Sequence, residues 1–223
     1  MERKYSLMFK LMKKSEYELL SDIKIDYERK SNEWKEMQQK LTEKVKFVDK
    51  LKKKMQGVGA VIYDIKKDRE GNDTFVCIQD CRKPYLKENN IDFYLKGFLN
   101  IFVINPHIKS NNNTWYKDMP YLESMFQERD IDIIELHSDV AGNLYENRGY
   151  GTMLIECLIS LGEKENCTSI YGKLSSVDAV TDEKRDNRNR FYEHRGFKLK
   201  FNDETKKDGS IHKKIGFLSD EDD

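Results

Sequence analysis

The segment Glu146-Asn147-Arg148-Gly149-Tyr150-Gly151-Thr152 sets two glycines one residue apart, directly before an apolar, helix-forming run. Where a strand leads into a helix, the first helical N–H groups have no partner within the helix, and the helix dipole adds positive potential. Glycines at such a turn let the backbone approach an anion closely. The residues therefore suit a phosphate cradle, with the Arg148 guanidinium and the Thr152 hydroxyl as further donors. They equally suit a plain strand-to-helix joint. The Gly-Lys-Ser/Thr ending of a Walker loop is absent, and so is the three-glycine dinucleotide fingerprint. Just upstream, "IDIIELHSDV" (131–140) reads as a strand. Its alternation puts Glu135, His137 and Asp139 on one face and Ile134, Leu136 and Ser138 on the other. Three polar side chains on one face of a central strand offer a proton acceptor, or simply a solvated surface.

The elements that must position these residues follow from periodicity. Residues 15–56 contain no Gly or Pro, and Leu20, Tyr27, Trp34, Leu41, Val48 and Met55 recur every seven residues. Ile23, Met37 and Leu51 fall three residues later in their heptads, and Lys30 and Lys44 interrupt the series. This is a long amphipathic helix whose narrow apolar stripe needs burial. Either it zips against a second copy through residues 20–55 or it packs on the domain that follows. After Gly57 and Gly59 the rhythm changes. Strands are expected at 58–65, 74–80 and 98–104, a surface loop at 105–118, and a short helix beginning at Pro120. A helix with the buried stripe Met153, Leu154, Cys157, Leu158 and Leu161 follows the glycines. Then come a strand at 168–175, a helix at 182–196 closed by Gly196, and strands at 197–201 and 210–217. The order predicts an α/β protein with a mixed sheet and a parallel crossover around 131–175.

Composition narrows the function. The formal net charge is zero although 36% of residues are charged, so the chain lacks the basic field of a non-specific nucleic-acid binder, and nucleic acid is not an expected partner. Residues 1–56 carry 16 Lys+Arg against 10 Asp+Glu, and residues 219–223 form an acidic tail. Cys77, Cys81, Cys157 and Cys167 show neither zinc spacing nor disulfide-scaffold density; they read as reduced thiols, with no metal expected. No run has the length of a signal peptide or membrane span, which predicts a soluble, cytoplasmic protein without a membrane partner.

Arg148-Gly149-Tyr150-Gly151-Thr152-Met153-Leu154 resembles the pyrophosphate loop of the GNAT superfamily of N-acetyltransferases, in its Arg-Gly-x-Gly-x-x-Leu form. Phe191-Tyr192-Glu193-His194-Arg195-Gly196-Phe197 resembles that family's second signature, Phe-Tyr-x-x-x-Gly-Phe. Together they cover roughly residues 130–217. The resemblance implies a GNAT-like fold over 57–218, preceded by the helical segment 1–56 and followed by the tail 219–223. It implies acetyl-coenzyme A as cosubstrate, lying between strands 131–140 and 168–175. Main-chain N–H groups from Arg148 through Gly149, Tyr150, Gly151 and Thr152 to Met153 would hold the pyrophosphate. The backbone near Leu136, Ser138 and Val140 would pair with the pantetheine arm.

The asparagine that many members place seven residues before the signature tyrosine is here Arg185. Asn187 and Asn189 lie closer to Tyr192, with Asn187 the expected cofactor contact. Arg188 and Arg190 could meet the nucleotide 3′-phosphate or form a solvated helix face. Tyr192 takes the family's general-acid position, and Glu135 is the favoured base, ahead of His137. The implied reaction is acetyl transfer to an amine. The competing reading is a non-catalytic GNAT-like module that binds coenzyme A or a protein partner and uses the N-terminal helix for assembly.

Overall fold

The computed structural model describes residues 2–86, 93–106, 119–137 and 147–216. The chain divides into two compact units, Met1–Lys53 and Lys54–Asp223.

The first unit is helical. Helix α1 spans Glu2–Gly57 and so extends a few residues into the second unit. Surface pairs such as Asp26–Lys30 (2.8 Å) and Asp26–Arg29 (2.6 Å) tie successive turns. The heptad side chains Ile23, Tyr27, Trp34, Met37 and Leu41 are all exposed, Tyr27 at 73% and Trp34 at 65%.

The second unit is built on one sheet. In chain order it contains β1 (Ala60–Lys67), β2 (Asp73–Asp80), β3 (Lys83–Leu86), β4 (Phe93–Ile104), β5 (Tyr121–Gln127), β6 (Asp130–His137), α2 (Tyr150–Lys164), β7 (Ser169–Leu174), α3 (Asp182–Glu193), β8 (Lys198–Phe201) and β9 (Gly209–Lys214). The strand order is β1-β2-β4-β5-β6-β7-β9-β8, with β3 paired to β4 outside that path. Every pairing is antiparallel except β6–β7, which is parallel and bridged by α2. The mixed sheet and its crossover are those the sequence predicts.

Helix α2 supplies the centre of the core. Leu154, Ile155 and Leu158 are fully buried, and Met153, Cys157 and Leu161 nearly so. They pack in one cluster with Leu122, Phe126, Ile131, Ile133 and Ile170 of the sheet. Each such side chain contributes about 1.5–3 kcal/mol by leaving water. Helix α3 opens on Thr181, whose hydroxyl accepts from Lys184 N at 3.2 Å. It closes at Gly196 (φ 76), with Phe197 N–H donating back to Tyr192 O at 3.2 Å.

One expected helix is a strand. Residues 121–127 form β5, with Leu122, Ser124 and Phe126 buried in strict alternation. Tyr121, Leu122, Met125 and Phe126 are spaced four apart in two pairs, which imitates a helical stripe. Pairing with β4 on one side and β6 on the other fixes the period at two.

The strand expected at 131–140 is described as far as His137, and a bulge breaks its simple alternation. Glu123 pairs Glu135 while Ser124 pairs Ile133, which leaves Ile134 as the extra residue, 50% exposed. Asp139, Ser138 and Val140, together with the surface loop expected at 105–118 beyond Pro106, lie outside the described residues, as does the acidic tail.

Candidate functional site

Asn147 (φ 57) and Gly149 (φ 85, ψ 11) both take left-handed backbone angles, and Gly149 is the N-cap of α2. Glycine is the residue that adopts this angle without strain. Among the described residues no side chain caps the helix, and no acidic residue stands in its first turn. Met153 N–H donates to Gly149 O at 3.2 Å, the first bond of the helical ladder. The N–H groups of Gly151 and Thr152 precede that bond, where helix geometry provides no acceptor. Their positive end is thus available to an anion, whereas the Met153 N–H is already engaged.

The β1–β2 turn holds this loop in place. Asp68 is buried and accepts from Glu70 N (3.0 Å) and Asn72 N (2.8 Å), which shapes the turn. Its other oxygen accepts from Asn105 Nδ2 at 2.9 Å and from Tyr150 Oη at 3.3 Å. Burial alone would raise the Asp68 pKa, but the bonds from Asn72, Glu70 and Tyr150 outweigh it and hold the group below its ordinary value. Arg148 joins through Nη1, 2.6 Å from Glu70 and 3.5 Å from Asp68. The guanidinium read from the sequence as a phosphate donor is thus engaged through Nη1 by two carboxylates. Tyr150 is buried in the same network, and burial raises its pKa.

The sheet opens beside the loop. Strands β6 and β7 pair from Asp130–Ser169 to Ile133–Gly172 and no further. Beyond that point β6 continues to His137, while β7 runs on to Leu174 with β9 as its partner. The bulge at Ile134 coincides with the separation. Leu136, partly buried against the core, lies on the diverging stretch of β6.

Glu135 and His137 occupy that stretch and meet. His137 Nε2 is 2.5 Å from Glu135 Oε1, Tyr121 Oη donates to Glu135 Oε2 at 2.7 Å, and the Tyr121 and His137 rings stack with centroids 5.0 Å apart. The bond from Tyr121 is the main reason that the Glu135 pKa is lowered, with His137 adding to it. Desolvation and the same bond push the Tyr121 phenol up. A carboxylate held low is a poor base by itself but a good acceptor for a neighbouring imidazole proton. A cavity of 350 Å³ lies on the sheet at the N-terminal end of β6, lined by Asp132, Tyr171, Lys173 and Ser210 among others. It stands at the opposite end of the strand from the glycine loop.

Tyr192 is buried in α3, its ring edge-on to Phe191 (5.1 Å) and Phe197 (5.6 Å). Burial, reinforced by the charge of Asp178, pushes its pKa up to about 12, so the hydroxyl stays protonated at neutral pH. Asn187 and Arg190 are exposed on α3. Their neighbours Arg188 and Asn189 turn inward: Arg188 donates to Ser175 O (2.6 Å) and Lys206 O (3.2 Å), and Asn189 Oδ1 accepts from Arg188. Arg185 pairs with Asp182 and Asp186.

Three contributors went unread in the sequence: Asp68, Tyr121 and Arg195, whose guanidinium bonds Thr152 Oγ1. All act on residues of other elements, and the one that lies in a quoted signature, Arg195, occupies a variable position of it. Cys77, Cys157 and Cys167 are buried free thiols, their pKa values pushed up by burial, and Cys81 is exposed. Among the described residues no group of His, Cys, Asp and Glu could hold a metal ion, and no helix is long and apolar enough to cross a membrane.

No family model and no curated protein sequence matches the chain. Solved structures do. It is similar to the ribosomal-protein-S18-alanine N-acetyltransferase of Escherichia coli, at 15% identity and a TM-score of 0.37 over 56% of this chain and 74% of that one. It is similar to a GNAT-family acetyltransferase of Staphylococcus aureus, at 15% identity and a TM-score of 0.38 over 53% and 69%. A third similar structure is the PaiA N-acetyltransferase of Thermoplasma acidophilum in complex with coenzyme A, at 15% identity and a TM-score of 0.35 over 53% and 60%. Each of these three structures is that of an acetyltransferase.

Proposed function

We propose that the chain is an acetyl-coenzyme A-dependent N-acetyltransferase acting on an amine. The observation that carries the reading is the coincidence of an uncapped helix N-terminus at Gly149 with the separation of β6 from β7 beyond Ile133. The buried Arg195 Nε, which has no partner among the described residues, and the absence of acid in the first turn of α2 fit a phosphate-bearing cosubstrate. Bound there, acetyl-coenzyme A supplies the activated acetyl thioester.

The chain's residues do the rest. The N–H groups of the first turn, from Gly149 to Thr152, hold the pyrophosphate, and the main chain of β6 from Leu136 toward Ser138 and Val140 receives the extended arm. Asn187 and Arg190 contribute from α3. The Glu135–His137 pair takes the proton from the attacking amine as the new C–N bond forms. Tyr192 donates its phenolic proton to the sulfur as the C–S bond breaks, and its raised pKa keeps that proton in place until then. Helix α1 serves assembly: its exposed stripe of Ile23, Tyr27, Trp34, Met37 and Leu41 pairs with a second copy, while Leu51 and Met55, at the end of the expected segment 20–55, are already buried.

Two measurements test the enzyme reading. Calorimetry should show acetyl-coenzyme A binding, and a panel of primary amines should release free thiol. Tyr192→Phe should lower kcat by 10²-fold or more, on the order of what general acid catalysis contributes, at little change in cofactor affinity. Tight binding with no thiol release from any amine, and no effect of Tyr192→Phe, would instead favour the non-catalytic module.

A further inference from the structure

Arg148, the cation that the sequence places nearest the glycines, is held by Glu70 and Asp68. Two other arginines reach the same turn from distant segments. Arg69, in the β1–β2 turn, lies along Gly149, with Cγ, Nε and Cδ at 3.5, 3.6 and 3.9 Å from the place a Cβ would take there. Its main-chain N–H donates to Arg148 O at 3.2 Å and its Nη1 to Asn147 O at 3.3 Å. Arg195, just after α3, donates through Nη2 to Thr152 Oγ1 and through Nη1 to Phe191 O at 2.6 Å. Its guanidinium carbon sits 3.8 Å from the centre of the Phe191 ring, which fixes the plane of the group.

Among the described residues, Glu70 is bonded to Arg148 at 2.6 Å and Glu156 to Lys66 at 3.2 Å. The Arg195 Nε is buried, with no partner among the described residues. Burial lowers the Arg195 pKa; the charge of Glu156 opposes that shift, and the charge of Arg69 adds to it. Two cations held beside the positive end of a helix repel one another and the dipole, and an anion between them relieves both.

We propose that Arg69 and Arg195 are phosphate-binding residues, which clasp the pyrophosphate of an acyl-coenzyme A against the first turn of α2 from two sides. The assignment rests on the cofactor reading above and extends it to side chains that flank the loop. The guanidinium fork matches a pair of phosphate oxygens, and stacking on Phe191 orients Arg195 before the ligand arrives.

The test is calorimetric titration of the full chain with acetyl-coenzyme A and with dephospho-coenzyme A, each at several salt concentrations. The proteins are the wild type, Arg69→Gln and Arg195→Gln. Each substitution should weaken both ligands by roughly 10-fold or more and flatten the fall of affinity with salt, because one screened charge pair is gone. Arg69 is exposed, so Arg69→Gln keeps the test decisive if Arg195→Gln proves to unfold. Unchanged affinity in the variants, beside a wild type that binds, overturns the proposal and leaves the cofactor reading intact. A loss confined to acetyl-coenzyme A overturns the assignment to the pyrophosphate. Weaker binding with an unaltered salt dependence is a packing effect and overturns it too. A wild type that binds neither ligand removes the cofactor reading, and this proposal with it.

Discussion

Asp68→Ala is the perturbation that asks most of the site. The carboxylate has no exposed side-chain surface and accepts from Glu70 N, Asn72 N and Asn105 Nδ2, all within 3.0 Å, and from Tyr150 Oη at 3.3 Å. Arg148 stands 3.5 Å away. Removing one partner of a buried charged network strands the donors it satisfied, at a cost of about 3–5 kcal/mol. Asn105 Nδ2 keeps its bond to Tyr150 Oη at 2.8 Å, which argues for the lower half of that range. Urea unfolding reads the loss directly.

The pH dependence gives a second, independent reading. The folded pKa of Asp68 lies below the ordinary value of 3.8. Its contribution is therefore complete above that value and is lost as pH falls through the depressed folded pKa. Wild type should lose stability below pH 3.8 more steeply than Asp68→Asn does. A cost under about 1 kcal/mol for Asp68→Ala, less than one ordinary hydrogen bond, or parallel acid limbs for wild type and Asp68→Asn, would refute the reasoning.

Other perturbations separate backbone strain, packing and assembly. Gly149→Ala should cost about 1–2 kcal/mol in urea unfolding through its left-handed angle alone, since the added Cβ meets Arg69 at an ordinary 3.5 Å; it should also weaken acetyl-coenzyme A binding. Leu158→Ala, at a fully buried position of α2, should cost about 2–5 kcal/mol by the same assay, with a small value showing that the core collapses around it. Trp34→Glu puts a charge into the exposed stripe of α1, and light scattering should show the wild type as a dimer and this variant as a monomer. An identical mass for the two would remove the assembly role.

What could be read from the sequence was local. The α2 stripe from Met153 to Leu161 and the Gly196 stop are consequences of helical period and backbone angle, which a short window contains. The misreading of 121–127 has the opposite origin. Its spacing fits both periods, and only the pairing with β4 and β6, non-local in the chain, decides between them. The bulge at Ile134 is likewise a property of two strands rather than one. The fate of Arg148 shows the same limit at the site. Its position before the glycines suggested a phosphate donor, yet Glu70 and Asp68, from a hairpin far upstream, fix where its charge goes. Arg69 belongs to no motif and Arg195 falls at a variable position of the second signature; the folded chain brings both to the turn.

The separation of β6 from β7 also bears on how the second unit assembles. Among the described residues, four parallel pairs, from Asp130–Ser169 to Ile133–Gly172, are the strand pairing between one antiparallel block, β1 to β6, and another, β7 to β9. Within each block most strands meet partners that are near in sequence, at a modest loop-closure cost. The parallel seam closes only after the whole α2 crossover is in place. Contact order thus predicts that the hairpins form before the seam, an expectation that hydrogen exchange along β6 and β7 would check.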